Sequence, residues 1–401
     1  MPNSGKPLSY DLKNDLENLT SENFDGIKMP LLHFFVPENL FIFKENEITV
    51  HTSDKNFDLE KITENRYDTR PGRFRGLPES KIKLFPRVSK LEYIEKVNKI
   101  KEHIHRGDIY EMNFCQEFYA KNAEINPMEV YLNLNNISPM PFSCFYKLHD
   151  KYLLCSIPER FLKKTGNKII SQPIKGTIRR GKNKKEDEKL IKNLFENKKE
   201  QSENVMIVDL VRNDLSRIAK PGTVRVDELF GIYSYRHLHQ MISTVSCEMD
   251  SPSAPPKESG VLRTQGGGLQ RKGDPLCSDR IFGMTGSVRE GLNNYYYHFI
   301  DVIKNTFPMG SMTGAPKVKA MELIEKHETT KRGLFSGAVG YIKPNGDFDF
   351  NVVIRSILYN KENKYISVMA GSAITAECDA EKEYEECLLK AEPMLKALMG
   401  K

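Results

Sequence analysis

Apolar positions along the chain change period several times, and those changes outline its elements. Leu91, Ile94, Val97, Ile100 and Ile104 recur at helical spacing, and Gly107 stops the run, which predicts a helix there. The stretch that follows, DIYEMNFCQEFYA, alternates as a strand does. Further strands are expected at CFYKL, KYLLCSI and NKIISQPIKGT, then a charged helix over 184–201. Strands return at SGAVGYI, FDFNVVIRSILYN and YISVMAGSAIT, and DAEKEYEECLLKAEPMLKAL is the last helix. Helices and strands mix without βαβ alternation, so the expected class is α+β with large, mainly antiparallel sheets. Residues 1–84 are loosely patterned, with a strand-like HFFVPENLFIF and a turn-rich DTRPGRFRGLPES. They are expected to form a short, partly irregular region packed on a main domain at 85–397.

One segment breaks the pattern. Residues 250–288 hold seven glycines and four prolines, the composition of a flexible insertion rather than of a packed element. The triple glycine at 266–268 lacks the strand-then-helix setting of a phosphate-binding turn. The rest is ordinary globular composition, 39% hydrophobic and 28% charged, enough for a large core. Lys+Arg 60 against Asp+Glu 54 is a near balance, which gives no case for nucleic-acid binding. The seven cysteines are scattered and make no C-x-x-C pair, so neither a zinc site nor a disulfide framework is expected. The polar N-terminal stretch has no apolar signal segment and no run is long enough to span a membrane, which points to a cytosolic, reduced protein.

Several positions carry candidate chemistry, each with a plain alternative. Lys175, in SQPIKGTIRRG, sits between Pro173 and Gly176 in a strand entering a turn; it is either a surface charge or a desolvated nucleophilic amine. Glu383 and Glu386 share one face of the last helix, as a solvated pair or as carboxylates that a cation would relieve. Glu203 begins a run in which Val205, Ile207, Leu210 and Val211 alternate with charges, as part of a salt-bridge network or of a metal site. GSMTGAPKVKAMELI is expected to be a turn opening a helix with Pro316 in its first turn, where Thr313 and Lys317 suit an anion or serve as plain caps. Arg355 interrupts an apolar strand run, either half-exposed or forked onto a carboxylate.

Taken together and in order, GDIYEMNFCQEF, SIPERFL, PIKGT, SENVMIVDLVRNDLSRI, GSMTGAPKVKAMELI, SGAVGYI with FNVVIRSI, and EYEECLLKA resemble the chorismate-utilising enzymes. The resemblance spans about residues 85–397 outside the insertion. It is closer to aminodeoxychorismate synthase component I than to anthranilate synthase component I. It implies two large β-sheets in the core with helices outside, around one Mg2+-chorismate site. Position by position, Glu203, Glu383 and Glu386 resemble the magnesium carboxylates, and Glu159 the general acid or base that protonates the leaving C4 hydroxyl. Arg355 with Gly371, Ser372 and Ala373 resembles the site of the enolpyruvyl carboxylate. Ser156, Thr177, Thr313, Gly314 and Lys317 resemble further substrate-binding positions.

The branch rests on a few of these positions. Anthranilate synthases usually carry alanine where Lys175 stands, whereas in aminodeoxychorismate synthases this lysine is thought to add to C2 before ammonia attacks C4. Gln240 stands where anthranilate synthases usually have a histidine, and Glu111 where isochorismate and salicylate synthases have a water-activating lysine. The resemblance therefore implies conversion of chorismate and ammonia to 4-amino-4-deoxychorismate, the p-aminobenzoate step of folate synthesis, with a separate glutamine amidotransferase subunit supplying ammonia. The alternatives are anthranilate formation, or a subunit that binds chorismate or a partner and is disabled by the insertion.

Overall fold

Two antiparallel sheets carry the fold in the computed structural model, which describes residues 4–54, 56–58, 82–249 and 294–400. The eight-stranded sheet runs β1 (Ser4–Leu8), β14 (Ala338–Ile342), β15 (Phe348–Asn351), β8 (Arg160–Thr165), β9 (Lys168–Gln172), β12 (Leu238–Glu248) and β10 (Ile174–Arg179), with β11 (Arg225–Ser234) also paired to β12. The seven-stranded sheet runs β13 (Gly314–Ala315), β5 (Glu111–Ala120), β17 (Tyr365–Ile374), β16 (Ser356–Asn360), β7 (Lys151–Cys155) and β6 (Cys144–Leu148), with β4 (Phe85–Pro86) beside β5. A separate hairpin joins β2 (Asn39–Lys44) to β3 (Glu47–Thr52). The insertion expected at 250–288 lies outside the described residues, as does DTRPGRFRGLPES.

Strand alternation divides the core. Met112, Phe114, Leu154, Ile357, Val368 and Ile374 point to one face of the seven-stranded sheet, in a cluster with helical residues such as Val97, Ile100, Ile324 and Met394. Cys115, Leu153, Cys155, Leu358 and Met369 point the other way and pack with Leu334, Val339 and Val353. A further cluster joins the eight-stranded sheet, through Phe161, Ile169, Val245 and Phe350, to Ile207, Val211, Val302 and Ile303. The result is helix, sheet, sheet, helix, as expected of the α+β class.

Among the described residues the helices longer than one turn are α1 (Lys90–His105), α2 (Pro127–Ile137), α3 (Lys184–Glu196), α4 (Lys198–Ser216), α5 (Asn294–Thr306), α6 (Lys317–His327) and α7 (Ala380–Met399). Several elements differ from expectation for local reasons. The buried stripe of α1 is Tyr93, Val97 and Ile100, and Leu91 is exposed. The charged helix at 184–201 is two helices, because Asn197 leaves helical geometry and its side chain accepts from the Lys199 and Glu200 amides to cap α4. On α4, Val205 is exposed, while Asn204, Val208 and Asp214 join Ile207 and Val211 inside. Pro173 splits NKIISQPIKGT, and β12 pairs with both pieces, β9 through Val245–Glu248 and β10 through Leu238–Ile242. Of HFFVPENLFIF, only 39–43 lies in a strand, within β2. Before α6, Gly310–Met312 is a 3-10 turn, and Pro316 is the N-cap rather than a first-turn residue.

The N-terminal segment is more than a covering layer. β1 pairs residue for residue with β14 from Ser4↔Ile342 to Leu8↔Ala338, and so forms the edge of the main sheet.

Candidate active site

Lys175 is aimed by a bulge. β10 pairs with β12 at Ile174↔Ile242 and again at Thr177↔Gln240, so Lys175 and Gly176 together oppose one residue. Gly176 has φ +90, and a Cβ there would come within 3.1–3.2 Å of Leu194 and Glu200 side-chain atoms. The turn sets Lys175, 16% exposed, with Nζ 3.9 Å from Glu203 Oε2. One helical turn earlier, Lys199 Nζ lies 3.7 Å from Glu203 Oε1, so Glu203 stands between two ammonium groups.

α7 brings its own acids. Asp379 caps it by accepting from the Glu381 and Lys382 amides. Lys390 Nζ donates to Glu386 Oε1 at 2.6 Å and to the Gly371 carbonyl at 2.9 Å, which ties α7 to β17. Burial pushes the Glu383 carboxyl up, Ser372 opposes this and Glu386 adds to it. Glu386 is held below the ordinary range by Lys390, against the effect of burial. Burial alone would lower Lys199, yet Glu203, Glu383 and Glu386 together hold it above its ordinary value. All three acids thus favour the charged form of one ammonium, and Glu203 lies within ion-pair distance of it. Among the described residues, no group of three or more His, Cys, Asp or Glu side chains is close enough to hold a metal ion.

Glu159 is buried and accepts from Ser311 Oγ at 2.9 Å. Burial lifts its carboxyl from 4.5 to about 7, against Ser311, Lys175 and Arg355. Asn113 of β5 donates to the Ser311 carbonyl at 2.7 Å and holds that turn in place. Arg355 is not part of a strand: FDFNVVIRSILYN divides into β15 of one sheet and β16 of the other, and the chain crosses between sheets at 352–355. Arg355 has φ +47, uncommon outside glycine, and among the described residues no carboxylate pairs with it. Burial lowers its guanidinium pKa and Glu159 acts in the opposite direction. A guanidinium without a carboxylate partner has the chemistry to bind one.

Residues 7–255 and 284–396 match the family described as chorismate binding enzyme. The chain belongs to that family. Within it, the chain is 31% identical over 394 residues to the anthranilate synthase component I-like protein of Synechocystis sp., covering 98% of this chain and 72% of that one. It is 28% identical over 408 residues to aminodeoxychorismate synthase component 1 of Bacillus subtilis, covering 98% and 76%. The structure of anthranilate synthase component I from Streptococcus pneumoniae superposes with a TM-score of 0.75 at 25% identity, covering 98% of this chain and 80% of that one. The fold is therefore that of the chorismate binding enzymes. Relatives carrying either synthase name resemble the chain to a similar degree.

The other positions singled out in the sequence divide. Ser372 lies beside Glu383, and Ala373 pairs with Asn113. Thr177 is exposed, two residues beyond Lys175. Ser156 gives its hydroxyl to the Ser138 carbonyl. Thr313 is buried with its hydroxyl donating to the Met309 and Gly310 carbonyls, and Gly314 packs against the Glu111 carbonyl. Lys317 is occupied elsewhere: its ammonium donates to Asp214 at 2.5 Å and to the Thr306 and Pro308 carbonyls, a structural anchor rather than an open cation. Glu200, Lys199, Lys390 and Ser311 were not singled out. Glu200 and Glu203 repeat the i, i+3 spacing of Glu383 and Glu386, and Glu386 and Lys390 are an i, i+4 pair. Those spacings, and the i, i+4 pair Lys199 and Glu203, are the signal for the first three, whereas Ser311 meets Glu159 across 152 residues.

Proposed function

We propose that this chorismate binding enzyme converts chorismate and ammonia to 4-amino-4-deoxychorismate. The observation that carries the reading is Lys175, turned by its bulge onto Glu203 and acting on Glu386 of α7. In this reading Arg355 and the strand around Gly371 receive the enolpyruvyl carboxylate. Glu159, with a carboxyl near 7, protonates the departing C4 hydroxyl as the Lys175 nitrogen bonds to C2. Ammonia then bonds to C4, and the C2–nitrogen bond to Lys175 breaks with its electron pair returning to the lysine.

Glu203, Glu383 and Glu386 offer the oxygen donors that Mg2+ takes, and their common effect in holding the Lys199 ammonium charged supports a place where positive charge is wanted. Those three residues would hold the ion once their side chains are drawn closer than the described structure has them, and the ion would supply Lewis-acid charge beside the ring carboxylate. Gln240, buried with Oε1 unpartnered, is a poor proton carrier, which favours stopping at the amination product. A separate glutamine amidotransferase subunit is proposed as the ammonia source. The second reading, anthranilate formation, draws on the names of relatives and of the similar solved structure.

Product analysis by mass decides between them. The protein and Lys175→Ala are given chorismate, MgCl2 and ammonium chloride, with and without EDTA. The expected product is aminodeoxychorismate, lost with EDTA and reduced on the order of 10²-fold or more in the variant. Anthranilate with pyruvate would instead establish the second reading.

A further inference from the structure

Glu111, the first residue of β5, is 0% exposed, and neither of its carboxyl oxygens has a hydrogen-bond partner among the described residues. A carboxyl buried without donors is costly, and native structures rarely keep one without use. Its position is not arbitrary. Glu111 lies two residues before Asn113 on the same strand face, and Asn113 holds the Ser311 turn whose hydroxyl donates to Glu159. β5 also pairs with β17 from Met112↔Ile374 to Cys115↔Gly371, the strand segment facing the substrate carboxylate in the proposed function.

The charged groups facing Glu111 are Lys175 from β10 and Glu203 from α4. Burial raises its carboxyl, Lys175 opposes and Glu203 adds. Chorismate is a dicarboxylate whose one hydroxyl already meets Glu159 in the proposed function, so its charge is repelled by a further acid. Glu203 is the one carboxylate facing it, and no group of three or more His, Cys, Asp or Glu side chains among the described residues is close enough to hold a metal ion. What fits is a small cation rich in N–H donors.

We infer that Glu111 forms an ammonium-binding site beside the chorismate pocket and takes the surplus proton from the bound ion. The inference rests on the proposed amination. In the step, one N–H bond of ammonium breaks with its electron pair left on nitrogen, and the proton passes to a Glu111 oxygen. Neutral ammonia and a neutral acid result, and the acid releases its proton to solvent after turnover. A carboxyl raised above its ordinary value is the better base for this transfer.

Glu111→Gln and Glu111→Met are compared with wild type, with ammonium chloride varied at constant ionic strength and several pH values. In both variants, kcat/KM for ammonium should fall on the order of 10²-fold, and the remaining rate should climb with pH as the free-ammonia fraction does. Chorismate affinity by calorimetry should be unchanged. Glu111→Met should melt no lower than wild type, since it removes an uncompensated acid. Amination by wild type with the same ammonium dependence in both variants overturns the inference and leaves the proposed function standing. Weakened chorismate binding in Glu111→Gln overturns it in favour of a substrate contact. A hydroxylated isomer of chorismate made by wild type in ammonium-free buffer, and not by Glu111→Gln, overturns it in favour of a bound water. A wild type that makes no aminated product at all overturns both.

Discussion

At the scale of single residues, burial does the chemical tuning. Glu159 is 5% exposed, accepts one hydrogen bond from Ser311, and has its carboxyl raised from 4.5 to about 7. A folded value above the unfolded one means stability that is fully present below about pH 4.5 and lost as pH rises through 7. Glu159→Gln carries no such titration. Its stability relative to wild type should therefore grow between pH 5 and 8, towards about 3 kcal/mol, while turnover falls on the order of 10²- to 10⁴-fold. Urea unfolding of both proteins across that range checks it, and a constant difference would show that Glu159 is charged in the fold throughout. Glu159, Lys175, Glu383 and Glu386 could be singled out as candidates because each sits in a contiguous motif. The fate of Lys317 was not legible, since its partner Asp214 lies 103 residues away, a pairing that local spacing does not encode.

At the scale of elements, the sequence tells strand from helix better than it tells one strand from two. FDFNVVIRSILYN is a single apolar run, yet it serves both sheets, and only the backbone reversal at Arg355 reveals the crossing. CFYKL and YISVMAGSAIT are strands as expected, because a local pattern suffices where one strand meets continuous partners. The segment after α6 shows what holds β5, and hence Asn113 and Glu111, in place. Arg332 pairs with Glu328 at 2.6 Å and donates to the Asn113 and Met312 carbonyls, while Glu328 accepts from the Cys115 amide. Both side chains are buried, so removing one strands the other charge. Arg332→Met is expected to cost about 3–5 kcal/mol. Adding Glu328→Gln should recover part of that loss, because the neutral amide no longer needs a cation. Unfolding free energies for the two single variants and the double variant test this coupling, and strict additivity would refute it.

At the scale of the whole molecule, the first described residues complete a chain of support that ends at the site. Ser9 Oγ donates to the Gly333 carbonyl at 2.7 Å, Asp11 accepts from the Gly333 amide at 2.9 Å, and the Lys13 ammonium donates to Glu325 at 2.6 Å. These contacts fix the turn that carries Arg332, whose ring-stacked position over Tyr10 lies 4.6 Å from the ring centre. Arg332 in turn grips β5. Little of this was legible beforehand, since residues 1–84 lack a sustained period and the partners lie more than 300 residues away. Leu8, Tyr10 and Leu12 are all buried. Losing core side chains of this size costs about 2–5 kcal/mol each. Three such losses are comparable with the whole stability of a domain, about 5–15 kcal/mol. A chain lacking residues 1–13 also exposes the β14 edge to other chains and leaves the Gly333 amide without its acceptor. It should therefore be recovered mainly as aggregate, and any soluble fraction should melt well below the full chain and bind chorismate weakly. Leu12→Ala alone should lose only about 2–5 kcal/mol and keep its chorismate affinity. If the shortened chain melts with the full one, the N-terminal strand is a covering layer after all, and β5 is held by the Arg332–Glu328 pair without it.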